Sequence, residues 1–268
     1  MPPALSPLGA KLGAQPSGPA APALIAVAHG SRDPRSAATI AALLDEVRRQ
    51  RPDLDARLSF LDLNTPRLPD VLNAVAADGH RHAVVVPLLL GNAFHARVDI
   101  PGAVARAAHR LPRLHLSVAD VLGGDPRLAD TALRRLAEVA GPLDDPSLGV
   151  LLAATGSSHP AANAAVRRLA GSLGRRRGWR WERAAFATMA APKVPEAIRL
   201  LRAAGAERIA VASWFLAPGL LPARVAKDAL ATDPDALVAS PLGADPAVAE
   251  VVLDRYQAAA ATPFAAAS

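Results

Sequence analysis

The sequence contains no cysteine, so disulfides, zinc ribbons, iron–sulfur clusters and thiol catalysis are excluded. Any metal must therefore be bound by histidine, by carboxylate or by a substrate. Aromatic residues make up only 3% of the chain although 51% of it is hydrophobic, so the core has to be built from alanine, valine and leucine. This composition is typical of parallel sheets covered by alanine-rich helices.

Long apolar runs are also missing, since none approaches the roughly 20 residues that a membrane span requires. Residues 1–22 are rich in proline, alanine and glycine and lack the apolar region of a signal peptide. We therefore expect a disordered tail over residues 1–22, a cytoplasmic protein and no membrane partner.

Lysine is scarce as well, and the net charge of +6 is carried almost entirely by arginine. The arginines fall in pairs such as Arg48–Arg49 and Arg134–Arg135 on predicted helices, which is typical of solvated helix faces. Nucleic acid is therefore not expected as a partner. A small polycarboxylate ligand is compatible with the same charge.

Several catalytic motifs are absent. The sequence has no Gly-x-Gly-x-x-Gly and no Walker loop, so nothing supports a nucleotide cofactor. Gly30-Ser31 does not belong to a Gly-x-Ser-x-Gly elbow, which argues against a serine hydrolase. His-Glu-x-x-His is also missing.

The most informative stretch runs from Leu24 to Pro34. Its apolar segment ends at Ala28, His29 follows, and a Gly-Ser-Arg-Asp-Pro turn leads into a helical pattern near Arg35. This order predicts a strand, a tight loop and a helix, with an imidazole at the carboxyl end of the strand. Open α/β sheets bind their ligands at that end.

A related stretch, VLLAATGSSHP, recurs 126 residues later with Thr155 in place of His29. Pro192 matches Pro66 at the same offset. We therefore predict an internal duplication, with a turn-rich linker between the copies. The predicted boundaries are a first domain over residues 23–142, a second domain over residues 148–257 and a C-terminal tail over residues 258–268.

Strand and helix patterns alternate through both copies, which predicts an α/β fold of two tandem flavodoxin-like parallel-sheet domains. In each domain the expected strand order is 2-1-3-4, with the topological switch between strands 1 and 3. His29 follows the first strand and His95 follows the third, so they should face each other across this crevice. Asp62 follows the second strand and can reach the same edge.

Two imidazoles and one carboxylate suit a borderline divalent metal such as iron, cobalt or zinc. The second copy has lost all of them at the same offset, which suggests that they act together. The replacements are Thr155 for His29, Thr188 for Asp62 and Leu221 for His95.

The second copy is then expected to form the opposite wall of a cleft. Trp214, Phe215, Leu216, Leu220 and Leu221 would offer it an apolar face, although Trp214 and Phe215 also fit a strand core. His159 occupies the position of Asp33 in the second copy, and the sequence leaves open whether it borders this cleft.

Three segments together resemble the class II chelatases of the sirohydrochlorin type: HGSRDP at 29–34, FLDLNTPRL at 60–68 and VVPLLLGNAFHARVDIP at 85–101. The resemblance implies a chelatase-like fold and the insertion of Fe²⁺ or Co²⁺ into sirohydrochlorin, toward siroheme or cobalamin. It implies no organic cofactor, because the metal is a substrate.

The resemblance also implies site residues. The metal ligands would be His29, Asp62 and His95, and the two histidines would be catalytic. The family more often has glutamate at the middle position, so the side chain of Asp62 is one methylene shorter.

Substrate carboxylates would be bound by Arg32 and Arg97, with hydrogen bonds from Ser31 and Asn92. Exposed loop positions are the alternative for the two arginines.

Two other functions remain open from the sequence, a non-catalytic carrier of tetrapyrrole or metal and a metal-dependent hydrolase. The oligomeric state is left open by the sequence, and a monomer is one option because two copies in one chain can replace a homodimer.

Overall fold

The computed structural model describes residues 21–91 and 98–262. Among the helices of these two ranges, none combines the length and the hydropathy that a membrane span requires. Strands and helices alternate throughout in the order β1 Ala23–Ala28, α1 Pro34–Gln50, β2 Ala56–Phe60, α2 Leu68–Ala77, β3 His82–Pro87, α3 Ile100–Arg110, β4 His115–Val118, α4 Pro126–Ala140, β5 Leu148–Ala154, α5 Pro160–Arg177, β6 Trp181–Phe186, α6 Val194–Ala203, β7 Arg208–Ser213, α7 Leu220–Thr232, β8 Leu237–Val238 and α8 Pro246–Ala260.

The strands form two parallel sheets of four, in the orders β2-β1-β3-β4 and β6-β5-β7-β8. The predicted α/β class, the duplication and the strand order 2-1-3-4 are thus confirmed. Strand β8 is expected as the fourth strand of the second domain, but the sequence pattern assigns no segment to it. Only Leu237 and Val238 pair with β7, and two residues are too few to show an apolar periodicity.

Local sequence explains where the helices start. Helices α1, α4 and α8 each begin at an Asp-Pro pair, in which the N-cap aspartate (Asp33, Asp125 or Asp245) accepts a hydrogen bond from a backbone N–H of the first turn. The proline then occupies the first helical position, where it needs no hydrogen bond of its own. Helix α5 also begins with a proline, Pro160, but its N-cap is His159, whose side chain makes no capping hydrogen bond.

The two repeats share one hydrophobic core. The inner face of the first sheet, with residues such as Leu24 and Val84, belongs to the same buried cluster as Leu152 and Ala212 of the second sheet. Two further clusters cover the outer faces, one with α2 and α3 and the other with α6 and α7. Because the inner faces are joined, the repeats fold around a common layer of helices.

The last helix of each repeat crosses to the other repeat. Helix α4 packs against β7 and β8 of the second sheet, whereas α8 packs against α1, β3 and β4 of the first. Each repeat therefore supplies a helix that buries the inner face of its partner's sheet. Neither sheet is covered by its own sequence repeat alone.

Ion pairs follow the same exchange. The N-cap carboxylate of α8, Asp245, lies 2.8 Å from Arg134 and 3.9 Å from Arg135, both on α4. In the reciprocal arrangement Arg255 of α8 lies 3.9 Å from Asp125, the N-cap of α4. The N-cap aspartate of each exchanged helix thus lies near an arginine of the other exchanged helix.

The exchange predicts that damage to α4 will unfold the second repeat. Leu136 of α4 is fully buried in the shared core, so Leu136→Ala should lower the free energy of unfolding by about 2–5 kcal/mol. All of the tryptophans lie in the second repeat, at Trp179, Trp181 and Trp214. Denaturant midpoints measured by tryptophan fluorescence and by far-ultraviolet circular dichroism should therefore shift together.

The matched control is Leu200→Ala, the same substitution at a helix position that is 40% exposed. It should change the unfolding free energy by no more than about 0.5 kcal/mol. A fluorescence midpoint that stays at the wild-type value in Leu136→Ala would contradict the exchanged packing.

Candidate functional site

The candidate site lies at the carboxyl edge of the first sheet. His29 follows β1 directly and is exposed, and Asp62 lies just beyond β2 and is also exposed. The predicted partners Asn92, His95 and Arg97 fall in residues 92–97, outside the described residues.

Backbone hydrogen bonds hold His29 and Asp62 side by side. The N–H of Leu61 donates to the carbonyl of Ala28 at 2.9 Å, and the N–H of Asp62 donates to the carbonyl of His29 at 3.0 Å. These bonds continue the parallel ladder for two residues beyond the strands. The imidazole and the carboxylate are therefore positioned by the sheet rather than by a free loop.

The loop after β1 is locked onto the loop after β2. Gly30 has φ +97°, and a Cβ placed on it would lie 1.8 Å from the carbonyl oxygen of Asp62, so only glycine fits. The next residue, Ser31, donates its backbone N–H to Oδ1 of Asn64 at 2.7 Å. Both contacts draw the His29 loop against the segment that carries Asp62.

Asp62 is strongly favoured as a carboxylate. Its Oδ1 accepts hydrogen bonds from the N–H of Leu63 at 2.8 Å and from Arg67 at 2.9 Å. The Leu63 amide, followed by the Arg67 guanidinium and by His29, lowers the pKa of Asp62 below its usual value of 3.8. The described residues donate no hydrogen bond to Oδ2, which leaves that oxygen available to a cation.

Of the predicted substrate-binding residues, two are described. The Ser31 hydroxyl accepts the N–H of Asp33 at 3.1 Å and keeps its own proton to donate. Arg32 lies next to it with an exposed side chain. Both can therefore reach an anionic group placed over the loop.

The second repeat approaches this loop through the segment before α7. A Cβ placed on Gly219 would lie 3.6 Å from the Ser31 hydroxyl oxygen. Leu220 follows, and 65% of its side chain is exposed. An apolar residue thus stands in solvent beside the His29 loop.

Other apolar residues predicted for this wall have a different role. Trp214 and Phe215 are buried in two separate core clusters, so they are core residues, as the alternative interpretation had it. Trp214 also lines a cavity of about 560 Å³ between the N-terminal end of α4 and helix α5. The wall of this cavity includes Leu90 and Gly91, which lead into the segment that carries His95.

The second copy keeps the loop geometry without the imidazole. Gly156 has φ +85°, and a Cβ placed on it would lie 2.1 Å from the carbonyl oxygen of Thr188. This matches Gly30, whose added Cβ would meet the carbonyl oxygen of Asp62. The N–H of Ser157 is again bound by an asparagine, but by Asn163 of α5 at 2.8 Å. The predicted replacements therefore sit on a preserved scaffold.

Within residues 21–91 and 98–262 no group of three or more histidine, aspartate or glutamate side chains is arranged to hold a metal ion. The described part of the site contributes His29 and Asp62. His95 as the third ligand stays a prediction.

Sequence reasoning missed the residues that support this pair. Asn64 and Arg67 lie in the FLDLNTPRL segment, two and five residues after Asp62, but only the folded loop shows what they bind. Their polar side chains just after a predicted strand were the available signal.

Gly30→Ala tests the locked loop. The substitution should cost at least about 3 kcal/mol of unfolding free energy, since a left-handed φ and a backbone collision act together. Gly79→Ala is the matched control. It has φ +91° but nothing within 4 Å of the added Cβ, so it should cost only about 1–2 kcal/mol. Equal losses in denaturant titrations of the two variants would argue against the close contact between Gly30 and Asp62.

Comparison with known proteins agrees with the duplication. The CbiX family model matches residues 23–139 and again residues 149–259. The sirohydrochlorin ferrochelatase of Bacillus subtilis is 27% identical over 242 residues, which cover 89% of this chain and 92% of that protein. The sirohydrochlorin cobaltochelatase of Priestia megaterium is 24% identical over 201 residues, covering 73% of this chain and 64% of that protein.

Solved structures show the same relationship. SirB from Bacillus subtilis with Fe³⁺ superposes with a TM-score of 0.76 at 26% identity, covering 90% of this chain and 96% of that chain. SirB from Bacillus subtilis subspecies spizizenii in complex with cobalt gives a TM-score of 0.74 at 25% identity, covering 91% and 97%. The resemblance inferred from the motifs is thus confirmed, and the chain belongs to the CbiX family, whose domain it carries twice.

Proposed function

We propose that this protein is a sirohydrochlorin chelatase that inserts Fe²⁺ or Co²⁺ into sirohydrochlorin. The observation that supports it most is the pairing of an exposed imidazole, His29, with an ionised carboxylate, Asp62, at the ligand-binding edge of a CbiX domain. Relatives named for each of the two metals match this chain. The proposal therefore includes both ions and both products, siroheme and cobalamin precursors.

In this proposal His29, Asp62 and His95 hold the incoming metal ion. Asp62 contributes its Oδ2 oxygen while Arg67 and the Leu63 amide retain Oδ1. Imidazole and carboxylate ligands bind iron and cobalt without the permanence of thiolates, so the ion can pass on to the four tetrapyrrole nitrogens. The metal is a substrate, and no organic cofactor is required.

Insertion also needs a base, because the macrocycle loses its pyrrole protons as the metal enters. Neutral imidazoles accept protons near neutral pH. His29 and His95 would therefore serve both steps, first as ligands and then, once the ion has left, as proton acceptors.

Sirohydrochlorin is a polycarboxylate, and its binding would use charge and apolar contact together. Ser31, Arg32, Asn92 and Arg97 would bind its carboxylates, with the net charge of +6 favouring the approach of an anion. Leu220 would pack against the face of the macrocycle from the second repeat.

We propose a cytoplasmic monomer with no nucleic-acid partner.

His29→Ala and His95→Ala should each lower the rate of metal insertion at least about a hundredfold, because each removes a ligand and a base. The rate is followed by the absorbance change of sirohydrochlorin on addition of Fe²⁺ or Co²⁺. Circular dichroism should show an unchanged fold, since His29 is exposed.

Thr155→Ala is the control at the equivalent position of the second repeat, and its rate should stay near that of the wild type. Near-normal rates in both histidine variants would overturn the proposed site. If the wild-type protein converts no more than one equivalent of sirohydrochlorin, and no faster than the uncatalysed reaction, it is a carrier and not a chelatase.

Leu220→Asp tests the apolar contact with the macrocycle. A carboxylate here would repel the polyanionic substrate and remove the packing surface, so the KM for sirohydrochlorin should rise about tenfold, or about 1.4 kcal/mol. The KM for the metal should not change.

Leu230→Asp is the matched control, because Leu230 is another exposed leucine of α7 at the far end of the helix. Its KM for sirohydrochlorin should be that of the wild type. An unchanged KM in Leu220→Asp would remove Leu220 from the substrate wall.

A further inference from the structure

Two histidines lie side by side at the opposite edge of the first sheet. His82 begins β3, His115 begins β4, and the two are direct partners in the parallel register. Their ring centroids are 4.6 Å apart with the planes tilted by 49°. A strand of six residues spans about 20 Å, so this pair is well separated from His29 at the carboxyl edge.

Both rings converge on one oxygen. The hydroxyl of Ser117 lies 3.0 Å from Nε2 of His82 and 3.2 Å from Nε2 of His115. Ser117 is two residues beyond His115 on the same strand, so it projects from the same face of the sheet. The two Nε2 atoms therefore point at a common position.

The proton arrangement of this trio lets both rings change from hydrogen bonding to metal binding. The Ser117 hydroxyl can accept an N–H from each Nε2, or donate its single proton to one Nε2 while accepting from the other. In either arrangement a neutral imidazole that carries its proton on Nδ1 offers the Nε2 lone pair to a metal once the hydroxyl moves aside. Burial lowers the pKa of both histidines, and the neighbouring His115 lowers that of His82 further, which favours the neutral form that metals bind.

We infer that His82 and His115 form a second metal site, a two-imidazole chelate for a borderline divalent ion such as Zn²⁺, Co²⁺ or Ni²⁺. Imidazole is a preferred ligand for these ions. Because these two imidazoles are the ligands that residues 21–91 and 98–262 contribute, water would complete the coordination and the ion would exchange with solvent, unlike the closed four-ligand set of a structural zinc.

The site is reachable from solvent. Both imidazoles are only partly buried, and an opening of about 510 Å³ at this edge is lined by residues 80–82 together with Ala21 and Pro22. His80 lies in the same opening but is bound to Asp55 at 2.8 Å, so it is not counted as a ligand.

Nuclear magnetic resonance of the full-length protein with ¹⁵N-labelled histidine tests the site. Before metal is added, His82 and His115 should both show the ¹⁵N signals of neutral imidazoles. As Zn²⁺ is added, the ¹⁵N signals of both Nε2 atoms should shift together and reach a plateau at one equivalent for this site. Signals of His82 and His115 that do not move while Zn²⁺ is raised to millimolar concentration would overturn the proposal.

Variants separate ligation from structural effects. His82→Gln and His115→Gln should each weaken Zn²⁺ binding at this site at least about tenfold. Removing a group that only supports a metal ligand already lowers metal affinity about tenfold or more, and these substitutions remove a ligand itself. Ser117→Ala keeps both imidazoles and should bind Zn²⁺ as tightly as the wild type or more tightly. A tenfold loss in Ser117→Ala would contradict the two-imidazole assignment.

His109→Gln, at an exposed position of α3, is the control and should leave binding at this site unchanged. Circular dichroism of each variant establishes that it is folded before its affinity is measured. Equal Zn²⁺ affinity in the wild type and in both His82→Gln and His115→Gln would likewise overturn the site.

Discussion

The exchange of α4 and α8 is the constraint on which the rest of the structure depends. A four-stranded parallel sheet must be covered on both faces, and each repeat leaves the inner face of its own sheet incomplete. The missing helix comes from the other repeat, and the N-cap carboxylates Asp125 and Asp245 accept arginines across the same crossing. The single core that results fixes the two carboxyl edges relative to each other, so Gly219 of one repeat lies against Ser31 of the other.

The candidate site depends on a second constraint, which acts on the backbone. Gly30 and Gly156 occupy equivalent loops, and in each the space for a Cβ is taken by a carbonyl oxygen of the next loop. The supporting asparagine differs, since Asn64 comes from the loop after β2 and Asn163 from α5. Both repeats have therefore kept the loop shape by different side chains. Only the first repeat has kept the imidazole. The glycine in this loop is therefore required by the fold of both repeats, whereas His29 is not required by the fold.

At the proposed metal site, the charge of Asp62 is already partly engaged by other groups. Oδ1 of Asp62 accepts hydrogen bonds from the Leu63 amide and from Arg67, and these bonds lower the pKa of the carboxyl group and keep it ionised. A carboxylate tied in this way attracts a divalent cation without surrounding it. That balance suits a protein that must collect an ion and then release it. The histidines at the amino edge present a different case, because they have no share in this loop and are held by a serine hydroxyl.

The sequence by itself determined the α/β class, the duplication, the strand order and the edge of the sheet where His29 and Asp62 meet. These follow from local patterns, because apolar periodicity, Asp-Pro starts and a constant offset of 126 residues are properties of neighbouring residues. It could not locate β8, which is too short for a periodicity, or predict the roles of Asn64 and Arg67, which depend on where two loops meet. Only the tertiary structure decided that α4 and α8 cross over, that Trp214 and Phe215 are core, and that His82 and His115 share one oxygen. Each of these depends on contacts between residues far apart in the chain, and the packing of the whole core selects those contacts.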